Sequence, residues 1–226
     1  MSDSVRIVKA HCNACRGERN HSVVAERKQE DDDENSDGSY GFWECTIYEM
    51  LQCCGCENIT LRSSYTCAGS GNEVMVSYYP PAITRHKPEW LSGSSAQSFR
   101  WHHSELNSLL DEVYAALHAG SNRLAIMGAR TLIDMVMLDK IGDQGTFDDK
   151  LKTMETTGYL SRTNREFLKQ AINAGSAAAH RGHQPDDQDV NRVMDIVENF
   201  IQAVYFLETA AVKLQQNTPP RSPKAQ

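Results

Sequence analysis

The sequence predicts an α+β protein: a small, metal-stapled β-rich unit followed by a mostly antiparallel bundle of about five α-helices. Three observations predict it. Two Cys-x-x-Cys knuckles, Cys12–Cys15 and Cys53–Cys56, both fall before residue 80. Aromatic and β-branched residues in strand-like runs surround them. Near residue 100 the apolar period changes from two to about 3.6 and stays helical over most of the remaining chain.

The β-rich part is expected over residues 1–80. After the first knuckle comes a run holding Glu30, Asp31, Asp32, Asp33, Glu34 and Asp37, which predicts a solvated acidic loop over residues 26–38. Residues 40–52 then lead as a strand into the second knuckle, and residues 58–62 and 73–79 read as further strands joined by a Gly-Ser-Gly-Asn turn. Pro80 and Pro81 stop the sheet, and residues 81–103 read as an irregular linker pinned by Trp90, Phe99 and Trp101.

The helical domain is expected over residues 104–215. Leu106, Leu109, Leu110, Val113, Ala116 and Leu117 repeat at helical spacing, and Gly120 supplies the stop. A second helix, capped by Ser121 and running to about Ile141, is apolar around most of its circumference and belongs in the middle of a bundle. Gly142 to Gly145 reads as a turn, and Thr146 and Asp149 as the cap of a short helix ending near Gly158. A fourth helix spans about Ser161 to Ala179 and a fifth starts near Pro185, while residues 216–226, with three prolines, predict a disordered tail.

The 226 residues are 40% hydrophobic and 23% charged, ordinary for a globular protein with a real core. No apolar run is long enough for a membrane span, and the first residues lack the apolar stretch of a signal peptide, so a cytoplasmic protein is expected. The net charge of −7 is nearly all carried by the six acids between residues 30 and 37. With no basic stripe, strong non-specific binding to duplex DNA is not expected.

Seven cysteines without a secretion signal argue against a disulfide framework. Each knuckle bends the chain so that two thiolates face one ion at about 2.3 Å, and four such donors complete a tetrahedral zinc site. Cys12, Cys15, Cys53 and Cys56 are the expected ligands of one structural Zn2+ per chain, with Cys54 in reserve for Cys53. Four thiolates leave no open position, so the ion would hold the fold rather than catalyse. Cys45 and Cys67 read as buried thiols, and His11 and His21 as exposed neighbours of the first knuckle.

A second candidate is His180 at the C-terminal end of the fourth helix, after the small residues 174–179. It can close its helix against the dipole, with Gly182 at the left-handed stop. It can also act as acid or base in a cleft shared with the phosphate-binding cation Arg130, or with Arg181 instead. Arg130 and Asp134 are four apart and could pair, and His102 and His103 read as exposed linker.

Taken together, the four-cysteine ribbon, Tyr79-Pro-Pro81, Pro88-Glu-Trp-Leu91, Glu112-Val-Tyr-Ala-Ala-Leu117, Met127-Gly-Ala-Arg130, Asp139–Gly145, Gly158-Tyr-Leu-Ser161 and Ala174–Gly182 resemble the bacterial DUF4145 family over about residues 10 to 210. Its helical domain is similar to the HEPN group of bundles found in toxins, antiphage systems and RNA-processing enzymes. The resemblance implies a nucleic-acid-related or defence-associated role, often as a homodimer, with RNA or a protein as partner. HEPN ribonucleases place four to six residues between an arginine and the catalytic histidine. The corresponding positions before His180 are Gly175, Ala174 and Asn173, so that motif is missing in its usual form. The expected function is therefore a non-catalytic, zinc-containing binding or adaptor protein. The alternative is a metal-independent ribonuclease using His180 with Arg130 or Arg181.

Overall fold

The structure is a computed structural model that describes residues 5–32, 41–71, 73–93 and 96–219. The chain is α+β and divides into two compact units, residues 1–84 and 85–226.

The first unit is a five-stranded antiparallel sheet in sequential order: β1 (Ile7–Cys12), β2 (Gly17–Asp32), β3 (Trp43–Cys53), β4 (Ile59–Cys67) and β5 (Met75–Tyr79). Alternation on β3 puts Cys45, Glu49, Leu51 and Cys53 on the buried face. Register puts Ala10 and Cys12 of β1 and His21 of β2 on that face too, because Val8 pairs with His21 and His21 with Cys53. A bulge at Val24 lets Val23 keep Leu51 as partner while Ala25 meets Met50. Among the described residues the apolar core of this unit is small: Ala10, Cys12, Cys45, Leu51 and Cys53. Beside it Glu49, 3% exposed, accepts from Arg62 Nε at 2.6 Å and also pairs with Arg6, so the buried carboxylate is neutralised from two sides.

The acidic loop is shorter than its composition suggests. Residues 26–32 do not begin it but continue β2, paired with residues 49–43 of β3. The ladder satisfies the backbone while every side chain from Glu26 to Asp32 stays exposed, so charge does not oppose pairing. The rest of the expected loop, residues 33–38, lies outside the described residues.

The second unit holds, among the described residues, eight helices: α1 (Glu89–Ser92), α2 (Ala96–His102), α3 (Ser104–His118), α4 (Asn122–Ile141), α5 (Phe147–Thr156), α6 (Arg162–His180), α7 (Asp187–Tyr205) and α8 (Leu207–Asn217). As expected, α4 is central, burying Ala125, Ile126, Ala129, Leu132, Ile133, Val136 and Met137 against α3, α5, α6 and α7. Glycines allow close approaches to it at two places. A Cβ on Gly128 would lie 2.5 Å from Val113 Cγ2, and one on Gly175 2.5 Å from Arg130 Cβ.

The stretch read as linker carries α1 and α2. Leu91 and Phe99 enter the core, and the Trp90 ring lies 4.8 Å from that of Phe206, but Trp101 is 84% exposed and pins nothing. Ser121 precedes α4 without capping it; the hydroxyl accepts no hydrogen bond from the helix. Asp134 pairs with Lys150 at 2.8 Å rather than with Arg130. Finally, α8 reaches Asn217, two residues into the expected tail, and residues 220–226 lie outside the described residues.

Candidate metal centre

Both knuckles are tight turns at the same end of the sheet, one joining β1 to β2 and the other β3 to β4. The β2–β3 register, with His21 opposite Cys53, is what aligns them. In each turn the residue after the second cysteine adopts a left-handed backbone, Arg16 at φ 56° and Glu57 at φ 61°. That conformation turns the chain back into the next strand.

The sulfurs of Cys12, Cys15, Cys53 and Cys56 all lie within 4.8 Å of one another. Cys12 and Cys56 are 3.5 Å apart and Cys15 and Cys53 3.9 Å. Four sulfurs at about 2.3 Å from one ion in a tetrahedron stand about 3.8 Å apart, so this donor set fits a tetrahedral metal. Backbone amides support it: Cys15 N–H donates to Cys12 Sγ at 3.4 Å. A hydrogen bond from the Gly55 amide, against the opposing effect of burial, brings the Cys53 thiol down to about 6. Cys15 goes the other way, to about 12, chiefly because it hydrogen-bonds Cys56. The lowered Cys53 favours its thiolate, the form that binds a cation.

Cys54 is exposed and outside the cluster, so the reserve ligand is not needed; Cys45 is buried and Cys67 half-buried. His21 departs from the expected exposure. It is only 1% exposed, with Nδ1 on the Arg19 carbonyl at 3.0 Å and Nε2 without a hydrogen-bond partner among the described residues. Neither His21 nor His11 joins the four sulfurs. Asn13, between the first two cysteines, holds the chain leaving the sheet: its Nδ2 donates to the Pro81 carbonyl at 3.0 Å and its Oδ1 accepts from Ile83 N–H at 2.8 Å.

In the helical unit, His180 is the exposed last residue of α6. Among the described residues no hydrogen bond or ion pair joins it to either arginine. Arg130 Nε donates to Ser176 Oγ at 3.1 Å while its guanidinium lies 4.4 Å over the Phe147 ring. Arg181 reaches back along its own helix to the Asn173 carbonyl at 2.9 Å and Oδ1 at 2.7 Å.

Two clusters leave no trace in local spacing. Arg85 donates from Nε and Nη2 to both oxygens of Glu198, at 2.8 and 2.7 Å, and Tyr114 Oη donates to Glu198 at 2.5 Å. This buried network joins the start of the unit to α3 and α7. Second, His103 is not an exposed linker residue. Its ring stands 4.5 Å from Tyr205, and its Nδ1 is 3.8 Å from Asp139, which also accepts from Tyr205 Oη at 2.8 Å. Burial lowers the His103 imidazole, favouring its neutral form. The parts of each cluster are far apart in the chain, so only the fold brings them together.

The model of one family, described as Domain of unknown function (DUF4145), matches residues 111–217. The match runs from within α3 to the end of α8. The sheet, its cysteines and the proline-bearing motifs before residue 111 lie outside it. Neither the curated proteins nor the solved structures contain a significant match to the chain.

Proposed function

Starting from a chain whose residues 111–217 match the DUF4145 family, we propose that this is a non-catalytic binding or adaptor protein built on a zinc-stapled sheet. The observation that carries the reading is the convergence of Cys12, Cys15, Cys53 and Cys56. Four sulfur donors suit a soft tetrahedral ion such as zinc and leave no position for a reacting water. The zinc therefore holds the two hairpins together, and the ribbon serves as the recognition element, for an RNA or a protein partner in a nucleic-acid-related or defence context.

The helical unit supports the same side. Metal-independent RNA cleavage needs a base for the 2′-hydroxyl and a cation for the phosphate. Arg130 and Arg181 each already have protein partners, and neither is joined to His180. The homodimer belongs to this proposal as well. A 440 Å³ groove between α6 and α7, with half-exposed Phe167 on its rim and Ile196 and Phe200 in its wall, supports a self-complementary contact.

The test has three arms. Metal analysis of protein purified without chelator gives about one zinc per chain, lost in the Cys12→Ser, Cys56→Ser double variant. In EDTA neither wild type nor His180→Ala cuts RNA; cleavage by wild type that the variant loses at unchanged melting temperature overturns the adaptor reading. Light scattering gives twice the 25.3 kDa chain mass, and a monomer at micromolar concentration removes the dimer.

A further inference from the structure

The helical unit contains a cavity of about 570 Å³ where α1 and α2 face the α7–α8 junction. Its size falls in the range of sites for small organic ligands, which are mostly apolar with a few placed polar groups. The apolar part is aromatic: Trp90, Phe99 and Phe206, with the Phe99 and Phe206 rings 5.1 Å apart. Flat rings of this kind offer stacking surfaces to a planar ligand.

The polar lining is mostly uncharged (Ser98, Gln202, Tyr205 and Thr209 among it), and its ordinarily charged side chain is a cation, Lys213. Among the described residues no carboxylate lines the cavity, although the chain carries a net charge of −7. Lys213 on α8 lines it and makes no hydrogen bond or ion pair among the described residues. His102 donates Nδ1–H to the Ser98 carbonyl at 2.8 Å, so its Nε2 is an acceptor and Lys213 is left as the group for a negative charge. The nearby acid, Asp139, stands behind Tyr205 and is already bonded to Tyr205 and Lys140. A cation left to solvent beside the half-buried rings of Trp90 and Phe206 is an arrangement that suits an aromatic ring bearing a negative charge.

We infer that this cavity binds a small planar aromatic anion, its ring beside Trp90 and Phe206 and its charged group at Lys213. A nucleoside phosphate and an aromatic carboxylate share this chemistry. The inference goes beyond the adaptor reading and does not involve the metal centre, so either can fail alone.

The experiment is calorimetric titration of full-length, metal-loaded protein with AMP, with 1-naphthoate as an aromatic anion lacking phosphate, and with neutral adenosine. Ala210→Trp fills the cavity from α8, and Lys213→Glu reverses the charge at its edge. Both positions are exposed on a helix that buries no residue, so the fold tolerates them, and unchanged circular dichroism checks this. Saturable binding of AMP or of naphthoate is expected, weakened ten-fold or more in each variant. The anion bound more tightly identifies a phosphate or a carboxylate as the charged group. Three results overturn the inference: no saturation with either anion, adenosine bound as tightly as AMP, or affinity unchanged by Ala210→Trp.

Discussion

Glu57 holds a backbone conformation that costs an L-residue about 1–2 kcal/mol, at φ 61° directly after the last knuckle cysteine. Glu57→Gly removes that strain while adding freedom to the unfolded chain, so a net gain of about 0.5–1 kcal/mol is expected by denaturant titration of the metal-loaded protein. Arg85 gives a prediction of opposite sign. Its guanidinium spans both oxygens of Glu198, a carboxylate set among α3 and α7. Arg85→Met leaves that charge with only Tyr114 and should destabilise the helical unit by about 3 kcal/mol, read as a lower urea midpoint. These two residues differ in how far the sequence reveals them. The knuckle cysteines are legible because a metal turn is a local pattern of four residues. The Arg85–Glu198 pair joins residues more than 100 positions apart, and the burial of His21 depends on its strand register; neither leaves a mark in the local sequence.

Helix boundaries are legible because their signals are equally local. Each of α3 to α6 is followed within two residues by a glycine at positive φ, and three of these, Gly120, Gly158 and Gly182, mark stops in the sequence itself. What the helices do to one another is less visible. Gly175 reads as one of several small residues, yet a Cβ there would lie 3.1 Å from the Ile126 carbonyl oxygen as well as against Arg130. Gly175→Ala must therefore push α6 away from α4, and a loss of about 1–3 kcal/mol is expected from thermal melts despite the better helix propensity of alanine. At the start of α5 the Thr146 hydroxyl accepts from Asp149 N–H at 3.3 Å, and the Asp149 carboxylate accepts from Thr146 N–H at 3.1 Å. The Thr146 hydroxyl, then its amide, holds the Asp149 carboxyl below its ordinary range. A lowered carboxyl stabilises the fold above its unfolded value of about 3.9, and the contribution disappears as the pH falls through the lowered one. Amide exchange at the first turn of α5 should accelerate over that acid window in wild type. Thr146→Ala should show the fast exchange at neutral pH already, with about 1 kcal/mol lost.

At the scale of the molecule, the two units differ in what holds them. The helical unit buries aliphatic and aromatic side chains from α1 through α7. The sheet unit buries five apolar side chains among the described residues, three of them cysteines and two of those in the knuckles. A core of that size does not by itself offset the ordering of the chain, and the proposed zinc would supply the difference. Chelator should therefore abolish the cooperative melting of the sheet while the helical transition stays in place; a single unchanged transition after verified metal removal would contradict this. The α+β class and the position of the change from sheet to helix are readable because hydrophobic period is a long-range average. The length of β2 is not, because acidic composition masks a strand whose backbone is satisfied by β3. That long ribbon has a practical use. From the His21–Cys53 pair to the Asp32–Trp43 pair it extends ten residues along β3, about 33 Å at strand rise. A fluorophore attached at the exposed Asp32 position sits at the far end of this ladder from Cys53. Asp32 is thus an attachment point at which a reporter can be fixed without disturbing the four sulfurs.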